Sequence, residues 1–421
     1  MPLAAGGLCA ILLVGCTGDA GEHASRTASP PPSPSSTSSS TSSSTPPRPS
    51  RAGTWVAATT PSDIEGLQLI ATYGGTRGGV TRGVRGVGAD ATVLVSATEG
   101  AGPGPALRGS PGLAWVRHGE QRQITAPTAP WPTQLVASDA DGSAAVWRET
   151  RSVNLDAEDW RILGLDDGGD AHVVATHTDY YGSDVVPPFN PDPHPLALAG
   201  DTVYWSIVDW PTSDRRSPQQ HGGRYDDRST ARILSAPLDG GGPITEVAEG
   251  AFGPADGGGG RLLYIEDERL RTGEDEGEIR VVELEGGARR VVSTTRATAG
   301  HGVRTVCGGD GYTVWALDRG RAADEIRVAV DGEERPRVIR LRTRGGGPEV
   351  ACGDGFITWG NGSSKGDPGL YLYDLDSRQQ HRLGQTRGYG ETEAAGDVLA
   401  WPGEMKGGTT TWTIARWRPP S

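Results

Sequence analysis

From about residue 55 onward, polar and apolar positions alternate in short runs separated by turns rich in glycine and aspartate. Period-two runs bounded by such turns predict β-strands, and no stretch carries the 3.6-residue spacing of a long amphipathic helix. One phrase recurs. A small residue and an aspartate turn lead into an alternating strand that ends on a bulky aromatic. It reads CGGDGYTVW at 307–315, CGDGFITW at 352–359, GDTVYW at 200–205, GDVLAW at 396–401 and ADGSAAVW at 140–147, with looser copies at 89–95 and 255–264. The turn aspartates Asp90, Asp141, Asp201, Asp256, Asp310, Asp354 and Asp397 follow one another at intervals of 43 to 60 residues.

Between consecutive aspartates the chain repeats one order: a second strand, a variable loop, a third strand such as ARILSAPLDGG (231–241) and a fourth such as ARRVVST (288–294). Four strands per period of this length predict an all-β fold, a β-propeller of four-stranded blades. The aspartates predict seven blades, or six if one of the weak copies is not a blade. The last unit ends at Trp417 with three strands, and an orphan strand, GLQLIATYG at 66–74, precedes the first turn. That N-terminal strand is expected to complete the last blade and close the ring, which removes open sheet edges. The second-strand aromatics are expected to fill the space between blades.

The aspartate–glycine turns and the third strands ending in LDGG resemble TolB-type and related WD-like propeller domains over most of residues 66–417. The resemblance is one of repeat grammar, because the Trp-Asp dipeptide of WD repeats and the double glycines of kelch repeats are missing. It implies a binding or scaffold role.

Composition adds location more than activity. Glycine (64) and proline (31) are abundant among 421 residues, as many tight turns require. The 40 basic and 53 acidic residues leave a net charge of −13, which argues against nucleic acid as a partner. Residues 8–15, LCAILLVG, are too short to span a bilayer and suit a signal-peptide core. The run ends Leu13-Val14-Gly15-Cys16, which resembles the bacterial lipobox. That resemblance implies cleavage before Cys16 and lipidation of its thiol and amine, with palmitate among the chains. The expected domains are a signal peptide (1–15), a lipidated Cys16 with a disordered Ser/Thr/Pro linker (16–52), and the propeller (53–421). The expected place is the outer face of the cell membrane of a Gram-positive type bacterium, held through the lipid anchor.

Cys307 and Cys352 precede the turns of consecutive repeats, 45 residues apart. In an exported chain they are expected to form a disulfide, the alternative being two buried thiols.

Two long segments, 177–195 and 209–230, fall on the face of the ring opposite the tight turns. Long loops on a rigid scaffold are where binding concentrates. They nominate His177, Asp179, Tyr180, Tyr181, His194, Asp209, Trp210 and His221 as a ligand face for an unidentified protein, peptide or glycan. A metal held by His177, Asp179 and His194 has no supporting ligand spacing, so neither metal nor cofactor is expected. No nucleophile elbow, Walker loop, HExxH or dinucleotide fingerprint occurs in a suitable context. The expected function is therefore a membrane-anchored binding platform without catalysis. The alternative is an extracellular enzyme of hydrolase, lyase or lactonase type, with its site at the central mouth of the long-loop face. That alternative requires histidines and carboxylates to converge there.

Overall fold

A computed structural model describes residues 50–51, 54–55 and 61–419 with interruptions, the longest at 100–111, 125–133, 151–158 and 210–229. It is a seven-bladed β-propeller. Blade 1 comprises Val80–Val87, Val93–Glu99, Gly112–Arg117 and Glu120–Ile124, with a two-residue strand, Thr76–Arg77, added on its inner side. Blade 2 runs from Gln134–Asp141 to His172–Thr176, blade 3 from Leu196–Ala199 to Thr245–Glu249, and blade 4 from Ala251–Asp256 to Ala288–Ala297. Blade 5 runs from Gly302–Gly309 to Arg337–Arg340, and blade 6 from Glu349–Gly353 to Gln379–Gly384.

Blade 7 takes Glu393–Ala395, Val398–Pro402 and Thr411–Trp417 from the end of the chain and Leu67–Gly74 from its beginning. The last two pair antiparallel, from Leu67 opposite Trp417 to Gly74 opposite Thr411. The orphan strand closes the ring as its pattern predicts. Two further short strands, Ser50–Arg51 and Thr54–Trp55, add in parallel to the outer edges of blades 5 and 6.

The strand pattern follows from burial. Second strands are covered on both faces, so Tyr312–Asp318 and Phe356–Asn361 are buried throughout. Outer strands are wet on one side, and Ala288–Ala297 is largely exposed. Between third and fourth strands the register slips at Ile162/Leu163, Ile233/Leu234, Val281/Val282, Leu370/Tyr371 and Leu69/Ala71, one bulge in each of five blades. Bulges add right-handed twist, which a blade needs to turn from the axis to the rim.

The second-strand tryptophans are the packing between blades. Trp147, Trp205, Trp315 and Trp359 are all but inaccessible to solvent. Each belongs to an apolar cluster shared with the preceding blade: Trp205 packs with Val146 and Ile162, and Trp359 with Ile326 and Ile339. Cys307 and Cys352 form a disulfide between the first strands of blades 5 and 6, with Cα atoms 5.7 Å apart.

The aspartate turns share a place in the fold without sharing one geometry. In blades 5 and 6 the two-residue loops are Asp310-Gly311 and Asp354-Gly355, with the glycine at positive φ. In blades 3 and 7 the order is reversed, Gly200-Asp201 and Gly396-Asp397, and again the glycine takes the positive φ. The L-residue avoids the left-handed region in either order.

Candidate functional site

Seven first strands meet around the axis and enclose a cavity of about 430 Å3. That is within the range of small-molecule pockets. Every blade contributes to its wall. The long-loop end is marked by Val136, Leu196, Glu349 and Glu391, and the tight-turn end by Asp141, Asp310, Asp354 and Gly396. Small residues such as Ala137, Ala140, Ala255, Gly308 and Ala351 line much of the length between and leave the centre open.

The wall is strongly acidic. Among the described residues, five aspartates and three glutamates face the cavity against a single basic residue, Arg85. Asp139 stands midway. Its Oδ1 accepts the Ala140 N–H and its Oδ2 the Leu198 N–H, each at 2.8 Å, so the carboxyl is fixed across the junction of blades 2 and 3. Burial outweighs those two hydrogen bonds, and Asp256 and Asp141 add like charge, so Asp139 is pushed up to about 7. Glu393, in the first strand of blade 7, is pushed up to about 8. Burial comes first, Glu391, Asp139 and Glu349 add to it, and Arg85 opposes. Asp256 rises to about 6, again chiefly by burial, with Asp141 nearby and Arg261 opposing. Arg85 is itself anchored, its Nε donating to Ser96 Oγ at 3.0 Å.

Two carboxyl groups in one enclosed space, displaced above their usual range, cannot both ionise freely at neutral pH. One can hold a proton while the other accepts one. Opposite roles for two neighbouring acids are what proton-transfer chemistry requires.

The ligand face nominated from sequence is a different place. His177–Tyr181 forms one short helix on the link between blades 2 and 3. His177 Nδ1 lies 3.2 Å from the Trp160 carbonyl oxygen. The Asp179 carboxylate accepts the Thr176 N–H at 2.7 Å and so closes the helix start. Tyr181 is buried and donates to the Val208 carbonyl at 2.6 Å. The Tyr180 hydroxyl donates to Asp209 at 3.3 Å, and burial and then Asp209 push it up to about 12, which keeps it a donor. Asp209 also faces Arg232, which reaches Glu246 and Glu249. The structure thus gathers Tyr180, Tyr181 and Asp209, and it uses their polar groups to pin the helix to blade 3. His194, Trp210, His221 and Cys16 lie outside the described residues. Among the described residues no cluster of three or more histidine, cysteine or acidic side chains has metal-binding geometry.

Sequence reading passed over Arg85, Asp139, Glu349, Glu391 and Glu393. The available signal was a charged residue inside or at the start of a first strand, where an apolar or small one is expected. The aspartates of the repeated turn were read as turn formers alone, yet Asp141, Asp256, Asp310 and Asp354 also face the cavity.

No protein-family model matches the chain, and neither does any curated protein. Solved structures do. A puromycin-hydrolyzing peptidase of Mycobacterium tuberculosis is 18% identical, with 84% of this chain and 53% of that chain covered and a TM-score of 0.43. A puromycin hydrolase is 13% identical over the same shares, with a TM-score of 0.47. The β-propeller domain of the Trilobed protease from Pyrococcus furiosus is 11% identical over 68% of this chain and 86% of that one, with a TM-score of 0.40. This chain spans about half the length of the first-named two.

At these identities the likeness is one of fold. The matched propellers belong to prolyl-oligopeptidase-type chains and not to TolB or WD domains specifically. The expectation of a binding platform without catalysis is corrected on the same finding: the similar chains are named as peptidases and hydrolases, so this repeat fold does not by itself imply a role without catalysis. The extracellular-enzyme alternative takes its place as the reading to be tested.

Proposed function

We propose that this chain is a hydrolase of the propeller type, with its site in the central cavity. The observation that carries the reading is the gathering of Asp139 and Glu393 at one level of the cavity wall, with Glu349, Glu391 and Arg85 on the same wall; burial and mutual repulsion raise the proton affinity of the first two acids. Converging carboxylates are part of what the enzyme alternative requires. In this reading Asp139, held by two backbone N–H groups, takes a proton from an attacking water. The water oxygen bonds to the electrophilic carbon. Glu393 gives its proton to the leaving group as the old bond breaks. Among the described residues, Arg85 is the one cation in the wall that can face developing negative charge. The names of the similar chains only order the substrate panel, and put peptides first.

Such a site works when Asp139 is ionised and Glu393 is protonated. Activity therefore rises with pH through about 7 and falls again through about 8, a narrow bell. Glu393→Gln cannot donate a proton and is expected to lower kcat by roughly 10²–10⁴-fold. The test is turnover of a panel of peptide amides by purified chain, followed by mass spectrometry across pH 5–10. Absence of turnover, or a Glu393→Gln variant with wild-type kcat and pH profile, sinks the reading.

We also propose that Cys16 is lipidated and tethers the chain outside the cell. The support is the apolar run before Cys16 and the Ser/Thr/Pro-rich segment after it. Labelled palmitate should enter the wild-type chain and not Cys16→Ser; an unlabelled wild type refutes the anchor.

A further inference from the structure

Arg85 is the extra residue of a β-bulge. In the first strand of blade 1, Val84 stands opposite Val95 and Gly86 opposite Leu94, so Arg85 has no partner in the ladder. Bulges re-aim a side chain, and this one brings a guanidinium to the wall of the central cavity. Two serines fix it. Arg85 Nε donates to Ser96 Oγ at 3.0 Å, and the Ser138 hydroxyl of blade 2 donates to the Arg85 carbonyl at 2.5 Å. Nε is thereby used, and among the described residues no hydrogen bond or ion pair engages either Nη atom.

A guanidinium left unpaired is unexpected in a wall so rich in carboxyl groups, and the strand register gives the reason. Arg85, Asp139 and Glu393 lie at one level, each two positions before the last pair of its inner hairpin: Val87–Val93, Asp141–Ala144 and Ala395–Val398. The first strand of blade 1 lies between those of blades 7 and 2, so the two acids flank the arginine. Asp139 is turned toward blade 3, where its oxygens accept the Ala140 and Leu198 N–H groups. Glu393 is near enough for Arg85 to oppose its raised proton affinity, yet no ion pair joins the two. A guanidinium presents a planar fork that matches the two oxygens of a carboxylate. This chain builds the fork, anchors it and supplies no carboxylate to it.

We propose that Arg85 anchors the carboxylate of an amino-acid-like ligand, whose nitrogen, two bonds from the carboxylate carbon, meets Glu393. The two Nη atoms donate to the two carboxylate oxygens. A free amino acid and the C-terminal end of a peptide share this chemistry. A carboxylate without the nitrogen is repelled by the flanking acids, and an amine without the carboxylate leaves the fork unused. Ala137, Ala140 and Ala395 on the same wall leave room for the ligand's own side chain. The inference deepens, and rests on, the reading of the cavity as a hydrolase site: it names the substrates as peptides with a free C-terminal carboxylate, cut at their last bond. The nitrogen beside Glu393 is then the leaving nitrogen, and Glu393 is the acid that protonates it.

Calorimetric titration of the full chain with Ala-Ala and with its C-terminal amide tests this without any variant. The free acid is expected to bind at least about tenfold tighter, the size of a lost charge-assisted hydrogen bond. Propionate, which has the carboxylate and lacks the nitrogen, should bind about tenfold more weakly than alanine. In Arg85→Gln, shown to be folded by circular dichroism, the advantage of acid over amide should vanish. Equal affinity for acid and amide overturns the proposal, and so does an advantage that survives in Arg85→Gln. Propionate bound as tightly as alanine, or no binding of any of the four, overturns it too. Alanine as tight as Ala-Ala assigns the anchor to free amino acids, and weaker alanine assigns it to peptide ends; both leave it standing. Mass spectrometry of the same mixtures separates the two readings. Arg85-dependent binding without release of alanine keeps the anchor and removes the hydrolase reading, whereas cleavage with no preference for acid over amide does the opposite.

Discussion

Trp359→Ala is expected to destabilise the propeller by about 3–5 kcal/mol, read as a fall in the urea midpoint with an unchanged slope. The residue is fully buried and sits where blades 5 and 6 meet, against Ile326, Ile339 and Tyr371. Its ring stacks on Tyr371 with centroids 5.5 Å apart and planes inclined by 22°. Truncation leaves a void walled by two rigid sheets, and sheets pinned by backbone hydrogen bonds relax little into a cavity. Phenylalanine at 359 should cost far less, roughly 1–2 kcal/mol, because the Trp359 indole N–H has no acceptor among the described residues and nothing polar is lost with it. Trp147 is the contrasting case. Its Nε1 donates to Glu149 at 3.1 Å, and Glu149 pairs with Arg161 at 2.7 Å in the same buried layer. Trp147→Phe should therefore cost more than Trp359→Phe. A Trp359→Ala variant as stable as wild type would mean that the inter-blade packing is not what holds the ring.

The second large effect belongs to the disulfide. Cys307 and Cys352 close a loop of 45 residues, and the chain-entropy relation gives about 4 kcal/mol for a cross-link of that span. The bond joins two neighbouring blades at their innermost strands, where the wall of the cavity is formed. Cys307→Ser with Cys352→Ser should lower the melting temperature by several degrees, and reductant should do the same to wild type and nothing to the double variant. A thiol assay on denatured, unreduced chain should find none from these two residues. Free thiols at both positions would remove the cross-link from the account of stability.

Both effects are stability effects, and they bear on the site because the cavity exists only while the ring is closed. Its acids come from blades distant in sequence, Asp139 in blade 2 and Glu393 in blade 7. Their elevated proton affinities arise from shared burial and from one another. Loosening one blade junction admits water to the cavity wall and returns those carboxyls toward their ordinary range. A packing variant should thus broaden the pH profile as well as lower stability.

The repeated phrase, by itself, determined the architecture. A blade is a local object: a turn residue, alternating strands and a buried aromatic within about fifty positions, so its signature is contiguous in sequence. The missing fourth strand of the last unit and the orphan strand at 66–74 likewise determined closure, because a sheet edge must pair or be covered. The cysteine pair was legible because equivalent positions in adjacent repeats become spatial neighbours. The site was not legible in this way. Tyr180, Tyr181, Asp179 and Asp209 have the chemistry of a ligand face, and only the folded chain shows Asp179 capping a helix and Tyr180 spending its hydroxyl on Asp209. Conversely, Asp139 and Glu393 look like ordinary polar residues in short strands. Their character depends on which side of a strand faces the axis, on what the other six blades place opposite, and on how little water reaches them. Those are properties of seven strands meeting, and tertiary structure alone decides them.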